Sequence, residues 1–127
     1  MSWAAMVLAL TVCAAVALAA APAADLSGTW LGVTQVPDLG EDQIKLVLKA
    51  DGQSYTGLCT DSAGIVVPSP ITNVKVEGAL LTFDISVNTG GGAMPVHISL
   101  KADGDTLAGG WATDDGGTGG MTLTRQK

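Results

Sequence analysis

Few residues of this 127-residue chain have the types that carry chemistry: one histidine, His97, and two cysteines, Cys13 and Cys59. A histidine beside a thiol or hydroxyl makes a base and nucleophile only where the fold brings them within hydrogen-bond reach. His97 alternates with Val96 and Ile98, which predicts that it faces outward beside Ser99 and Lys101 as a solvated strand residue. Cys59 takes the place of Trp111 in a repeat described below, which predicts an inward, packed thiol; the sharper alternative is a reactive thiol. The G-x-S-x-G elbow of the hydrolases is absent. Asp103-Gly104-Asp105 and Asp114-Asp115-Gly116 lack the spaced oxygen ligands of a calcium loop, and Asp-Gly is what tight hairpins use in any case. Gly90 to Gly92 has neither the lysine nor the following helix of a P-loop. No acid or histidine falls in phase with the apolar face of any strand read below. The residues therefore predict no catalytic constellation, no metal, no cofactor and no enzyme.

The elements that would position these residues read as strands. The clearest stretch, Ile98 to Trp111 (ISLKADGDTLAGGW), is an alternation, a turn and a second alternation. An approximate copy, LVLKADGQSYTGLC, lies 52 residues earlier from Leu46 to Cys59. In it Leu48 to Gly52 match Leu100 to Gly104, Gly57 matches Gly109, and Cys59 takes the place of Trp111. Each copy predicts a β-hairpin, with Gly52 or Gly104 supplying a positive φ at no steric cost.

The remaining runs follow the same period of two. Strands are predicted near Thr29–Gln35, Gln43–Ala50, Ser54–Thr60, Thr72–Val76, Leu80–Val87, across the Ile98–Trp111 hairpin, and at Met121–Arg125. Ile44, Leu46, Leu48 and Ala50 share one face, as do Val74 with Val76, and Leu81 with Phe83, Ile85 and Val87. Val96, Ile98, Leu100, Leu107 and Trp111 complete the inward set. After residue 24 no 3.6-residue period persists for two turns. Eight short strands in hairpin order, each with one apolar face, remove their edges by closing. The prediction is an all-β, eight-stranded antiparallel up-and-down barrel. Its polar outer face excludes an outer-membrane barrel. Trp30, Tyr55, Phe83 and Trp111 are bulky inward candidates, and Gly32, Gly57 and Gly109 lie in phase and subtract volume. The interior is expected to be mostly self-filled, with room for at most a small apolar guest.

Residues 1–24 form a separate unit, read as a signal peptide with an N-terminal signal helix. No charge occurs before Asp25, and Ala21-Pro22-Ala23 fits a small-residue cleavage site. The stretch is also long enough to span a bilayer, so an uncleaved anchor stays open beside cleavage, which is favoured. Val12 before Cys13 makes a poor lipid-attachment site. Removal of residues 1–24 leaves Cys59 alone, so residues 25–127 form one domain without an internal disulfide. The formal net charge of -6 argues against nucleic acid and anionic membranes as partners. After cleavage the protein is expected to be exported, periplasmic or extracellular, monomeric and off the membrane.

Gly28-Thr29-Trp30, opening the first strand, is similar to the G-x-W of lipocalins. The order of Leu46 to Gly57, then Pro70-Ile71 with Val74, Gly78, Leu81 and Phe83, then Asp103-Gly104, Gly109, Trp111 and Leu123-Thr124-Arg125, resembles a short lipocalin-like barrel domain of secreted bacterial proteins. The resemblance covers almost all residues after Asp25, and departs at Ser62 to Ser69 and Gly90 to Gly92. It implies a fold and an exported location but no agreed ligand or catalytic residue. The leading expectation is a non-enzymatic module that binds a small apolar ligand or a protein partner through its open end. One rival is a stand-alone accessory domain, of the kind attached to secreted hydrolases and peptidases, with a structural or tethering role. A second is a small hydrolase or isomerase using the barrel interior, which an inward histidine or acid would favour. Candidate ligand-binding residues in the interior and at the mouth are Trp30, Tyr55, Cys59, Ile65, Phe83 and Trp111. Trp30 and Trp111 read more readily as core plugs than as ligand stackers, and the apolar Ile65-Val66-Val67 in a loop is expected to cap the mouth.

Overall fold

The computed structural model describes residues 25–127. Residues 1–24, read above as a signal peptide and containing Cys13 and the expected cleavage site, lie outside them. Eight antiparallel strands follow one another: β1 (Gly28–Val36), β2 (Gly40–Asp51), β3 (Ser54–Asp61), β4 (Thr72–Glu77), β5 (Leu80–Asn88), β6 (Ala93–Asp103), β7 (Thr106–Thr113) and β8 (Thr118–Arg125). Their order in the sheet is β3-β2-β1-β8-β7-β6-β5-β4. The first and last strands therefore pair in mid-sheet, Gly32 opposite Leu123, and the seam of the barrel falls between β3 and β4. Little crosses that seam: a bridge between Leu58 and Pro70, and the Ile71 N–H donating to the Gly57 carbonyl at 2.9 Å. The barrel is thus nearly closed.

The repeat in the sequence is a repeat in register. Leu46 faces Cys59 and Leu48 faces Gly57 across β2 and β3, as Ile98 faces Trp111 and Leu100 faces Gly109 across β6 and β7. Gly52 and Gly104 have φ of 66° and 62°, the left-handed region a side chain at that position would resist. Three inward glycines of the barrel wall each stand opposite a buried leucine: Gly32 opposite Leu123, Gly57 opposite Leu48, Gly109 opposite Leu100. A Cβ on Gly109 would lie 2.0 Å from the Ser99 carbonyl oxygen, and one on Gly32 only 1.8 Å from that of Thr122. These glycines let strands bend and approach where the barrel curves. They do more than subtract volume.

The two ends of the barrel differ. At the end carrying the β2–β3, β4–β5 and β6–β7 turns, the segment before β1 folds inward and seals the barrel. Leu26 is 2% exposed, its N–H donates to the Tyr55 hydroxyl at 2.9 Å, and its carbonyl accepts from the Trp30 indole N–H at 3.0 Å. The Arg125 guanidinium lies over the Trp30 ring, 4.3 Å from its centroid, and donates to the Ser27 and Asp25 carbonyls. The fully buried Leu46, Leu81, Leu100, Leu107 and Leu123 fill the middle. Ala50 departs from the predicted inward set: it is exposed, because β2 runs on to Asp51, past the sealed end. At the opposite end the chain is not sealed.

Candidate functional site

The unsealed end is ringed by the β1–β2, β5–β6 and β7–β8 turns and by residues 62–71, which connect β3 to β4. It opens into a cavity of about 380 Å³. Alternation along each strand brings the lining there: Val36 from β1, Ile44 from β2, Ile85 and Val87 from β5, Val96 and Ile98 from β6, Trp111 from β7 and Met121 from β8. Ile65 and Val66 complete the wall where β4 falls short. The Val67 N–H donates to the Ser86 carbonyl and the Asn88 N–H to the Ile65 carbonyl, both at 2.8 Å, so residues 65–67 add to the edge of β5. Apolar walls of this kind exclude water from a guest's surface and reward its burial.

The polar groups in the cavity are few and mostly engaged. The Thr34 hydroxyl donates to the Gly120 carbonyl at 2.5 Å and accepts from the Trp111 indole N–H at 2.9 Å. The indole has room to lie flat because Gly119 is opposite it; a Cβ there would sit 2.5 Å from the ring. Asp42 is the one ionisable residue in the lining, and it is 2% exposed. Its Oδ1 accepts from the Ser62 hydroxyl at 3.2 Å and the Ala63 N–H at 3.0 Å. Asp61 stands against it, and its own two oxygens accept from the Ile65 and Val66 N–H groups, each at 3.0 Å. Burial first, and then the neighbouring Asp61 carboxyl, push the Asp42 pKa above its ordinary value. Two acids thus fasten the 62–66 segment over the mouth, one of them turned into an apolar space.

The comparisons identify the fold alone. A solved structure described as a redesigned β-barrel superposes with a TM-score of 0.62, covering 80% of this chain and 92% of that one at 22% identity. No protein-family model and no curated protein matches the chain.

Of the six residues proposed from the sequence, two line the cavity, Ile65 and Trp111. Trp111 is half-buried and forms a wall, while Trp30 at 0% exposed is the plug of the sealed end. Tyr55 anchors Leu26 there, and Phe83, 2% exposed, belongs to the core. Cys59, 1% exposed, packs against Leu46. Burial, with Asp61 and Asp42 nearby, pushes its thiol pKa up to about 12, so the thiolate needed for nucleophilic chemistry is suppressed.

Two findings depart from the sequence reading. An acid is in phase after all: Asp42 pairs with the inward Thr34 and precedes Ile44 by two, on the same face. The expected strand began at Gln43, one residue too late to count it. His97 does face outward, 47% exposed in its side chain, but it is clamped. Its Nδ1 lies 2.8 Å from Asp84 and its Nε2 2.8 Å from Asp114. A neutral imidazole donates from one nitrogen only, so the two carboxylates together favour the imidazolium. The bond to Asp84, then that to Asp114, raises the His97 pKa above 6.5. The clamp ties the β7–β8 turn, part of the rim, to the outer wall.

Proposed function

We propose that the protein is an exported, non-enzymatic, lipocalin-like barrel that binds a small apolar molecule through its unsealed end. The cavity carries this reading. It is concave and walled by aliphatic and aromatic side chains with few convergent polar groups, as small-molecule sites are. At about 30 Å³ for each water-sized group, its volume suits a guest of roughly a dozen non-hydrogen atoms. Its lining holds neither histidine nor cysteine, the Thr34 hydroxyl is bonded on both sides, and Asp61 beside Asp42 is engaged by the Ile65 and Val66 N–H groups, so binding fits better than catalysis. The uncharged, alanine-rich residues before Asp25 support export.

The test is titration with a small neutral fluorophore, 2-naphthol, into the protein and into a Val87→Trp variant that fills the cavity. Saturable binding that the variant abolishes, with its melting cooperative, is the expected result. Equal binding to both proteins, or none to either, would overturn the proposal.

A further inference from the structure

We propose that the cavity, if it is the binding site described above, selects a small apolar molecule bearing a cationic amine, which Asp42 receives, over neutral or anionic molecules of the same shape. Three observations converge on this ligand class. First, the only charge that the lining offers is negative: Asp42 is present, and no lysine, arginine or histidine accompanies it. An anionic guest, such as a fatty acid carboxylate, would meet a buried acid and find no counter-charge, an arrangement that costs binding free energy.

Second, the hydroxyls that border the space are occupied, and Asn88, exposed at the rim, adds only a neutral amide. The Thr34 hydroxyl is bonded on both sides. The Thr113 hydroxyl donates to Asp115 and accepts from the Gly117 N–H, and the Thr89 hydroxyl donates to the Gly92 carbonyl. At Asp42, by contrast, both donors meet Oδ1, and among the described residues none meets Oδ2. The Asp61 carboxyl beside it has no proton to donate when both acids are ionised, so Asp42 keeps acceptor capacity at the wall of an apolar cavity.

Third, Asp42 stands against Asp61, and among the described residues no lysine, arginine or histidine pairs with either. Burial and a like neighbour each disfavour a second negative charge. A ligand ammonium placed at Asp42 supplies the missing positive charge and donates a charge-assisted hydrogen bond, while its hydrocarbon part occupies the space between Ile85, Val96 and Trp111.

The experiment compares 2-phenylethylamine, 2-phenylethanol and 3-phenylpropanoate by isothermal titration at neutral pH, on the protein and on Asp42→Asn. Asparagine keeps an oxygen for the Ser62 and Ala63 donors, so the variant preserves the loop. The amine is expected to bind the protein at least about tenfold more tightly than the alcohol, the scale of one hydrogen bond to a charged group, and the carboxylate most weakly. In Asp42→Asn the preference for the amine over the alcohol should disappear. Equal affinities for amine and alcohol on the protein, or an amine preference that survives in Asp42→Asn, would overturn this inference while leaving the cavity a binding site. Failure of all three probes to bind would remove the underlying binding proposal as well.

Discussion

At the scale of single residues, Asp42 and His97 both have raised pKa values, and both contribute most at low pH. Asp42, with Asp61 and Cys59 nearby, has a folded pKa above the ordinary 3.8. Its favourable linkage is complete below that value and is lost as pH rises through the folded pKa. Asp42→Asn removes the penalty, and its amide can donate to Asp61. The variant is therefore expected to melt higher than the parent at about pH 7, with the gain vanishing near about pH 3. A variant less stable than the parent at neutral pH would contradict the assigned burial. His97 behaves as a cation gaining partners. The stability from its clamp is complete below about 6.5 and fades as pH rises through its raised folded pKa. Melting-temperature differences between the protein and His97→Gln should accordingly be largest in mild acid and shrink toward alkaline pH. Growth of the difference with pH would exclude the clamp. The effect should be small, because exposed ion pairs contribute little.

At the scale of elements, small residues opposite large ones shape the barrel wall. Gly109→Ala would set a Cβ 2.0 Å from the Ser99 backbone carbonyl, which cannot move without parting β6 from β7. A loss of roughly 1–3 kcal/mol or more is expected, measured by denaturant unfolding. Gly91→Ala, with nothing within 4 Å of its Cβ, is the control and should be nearly silent. Equal effects at both positions would remove the close-approach explanation. The same elements show what was legible in the sequence. Period-two alternation and Gly turns gave the strands and the repeat hairpins, because a half-buried strand writes its burial into alternate residues. Asp42 was not legible, since a buried acid breaks the apolar pattern and moves the apparent strand start inward. Nor was the His97 clamp, whose partners come from β5 and the β7–β8 turn, 13 and 17 residues away. The sealing of one end by Leu26 likewise depends on tertiary contacts, with Tyr55 and Trp30, that no local pattern records.

At the scale of the whole molecule, a nearly closed barrel is sealed at one end and hollow at the other. The sealed end holds Trp30 beneath Arg125, the middle is filled with leucine, and the apolar cavity lies under the rim formed by three turns and residues 62–71. That division separates the part of the chain that holds the fold from the part free to meet a ligand. The most direct measurement is native mass spectrometry of the protein purified from its own source. A retained small-molecule mass is expected, lost when Val87→Trp fills the cavity. A bare polypeptide mass, with no adduct recovered under gentle conditions and none formed with added apolar amine, would contradict it.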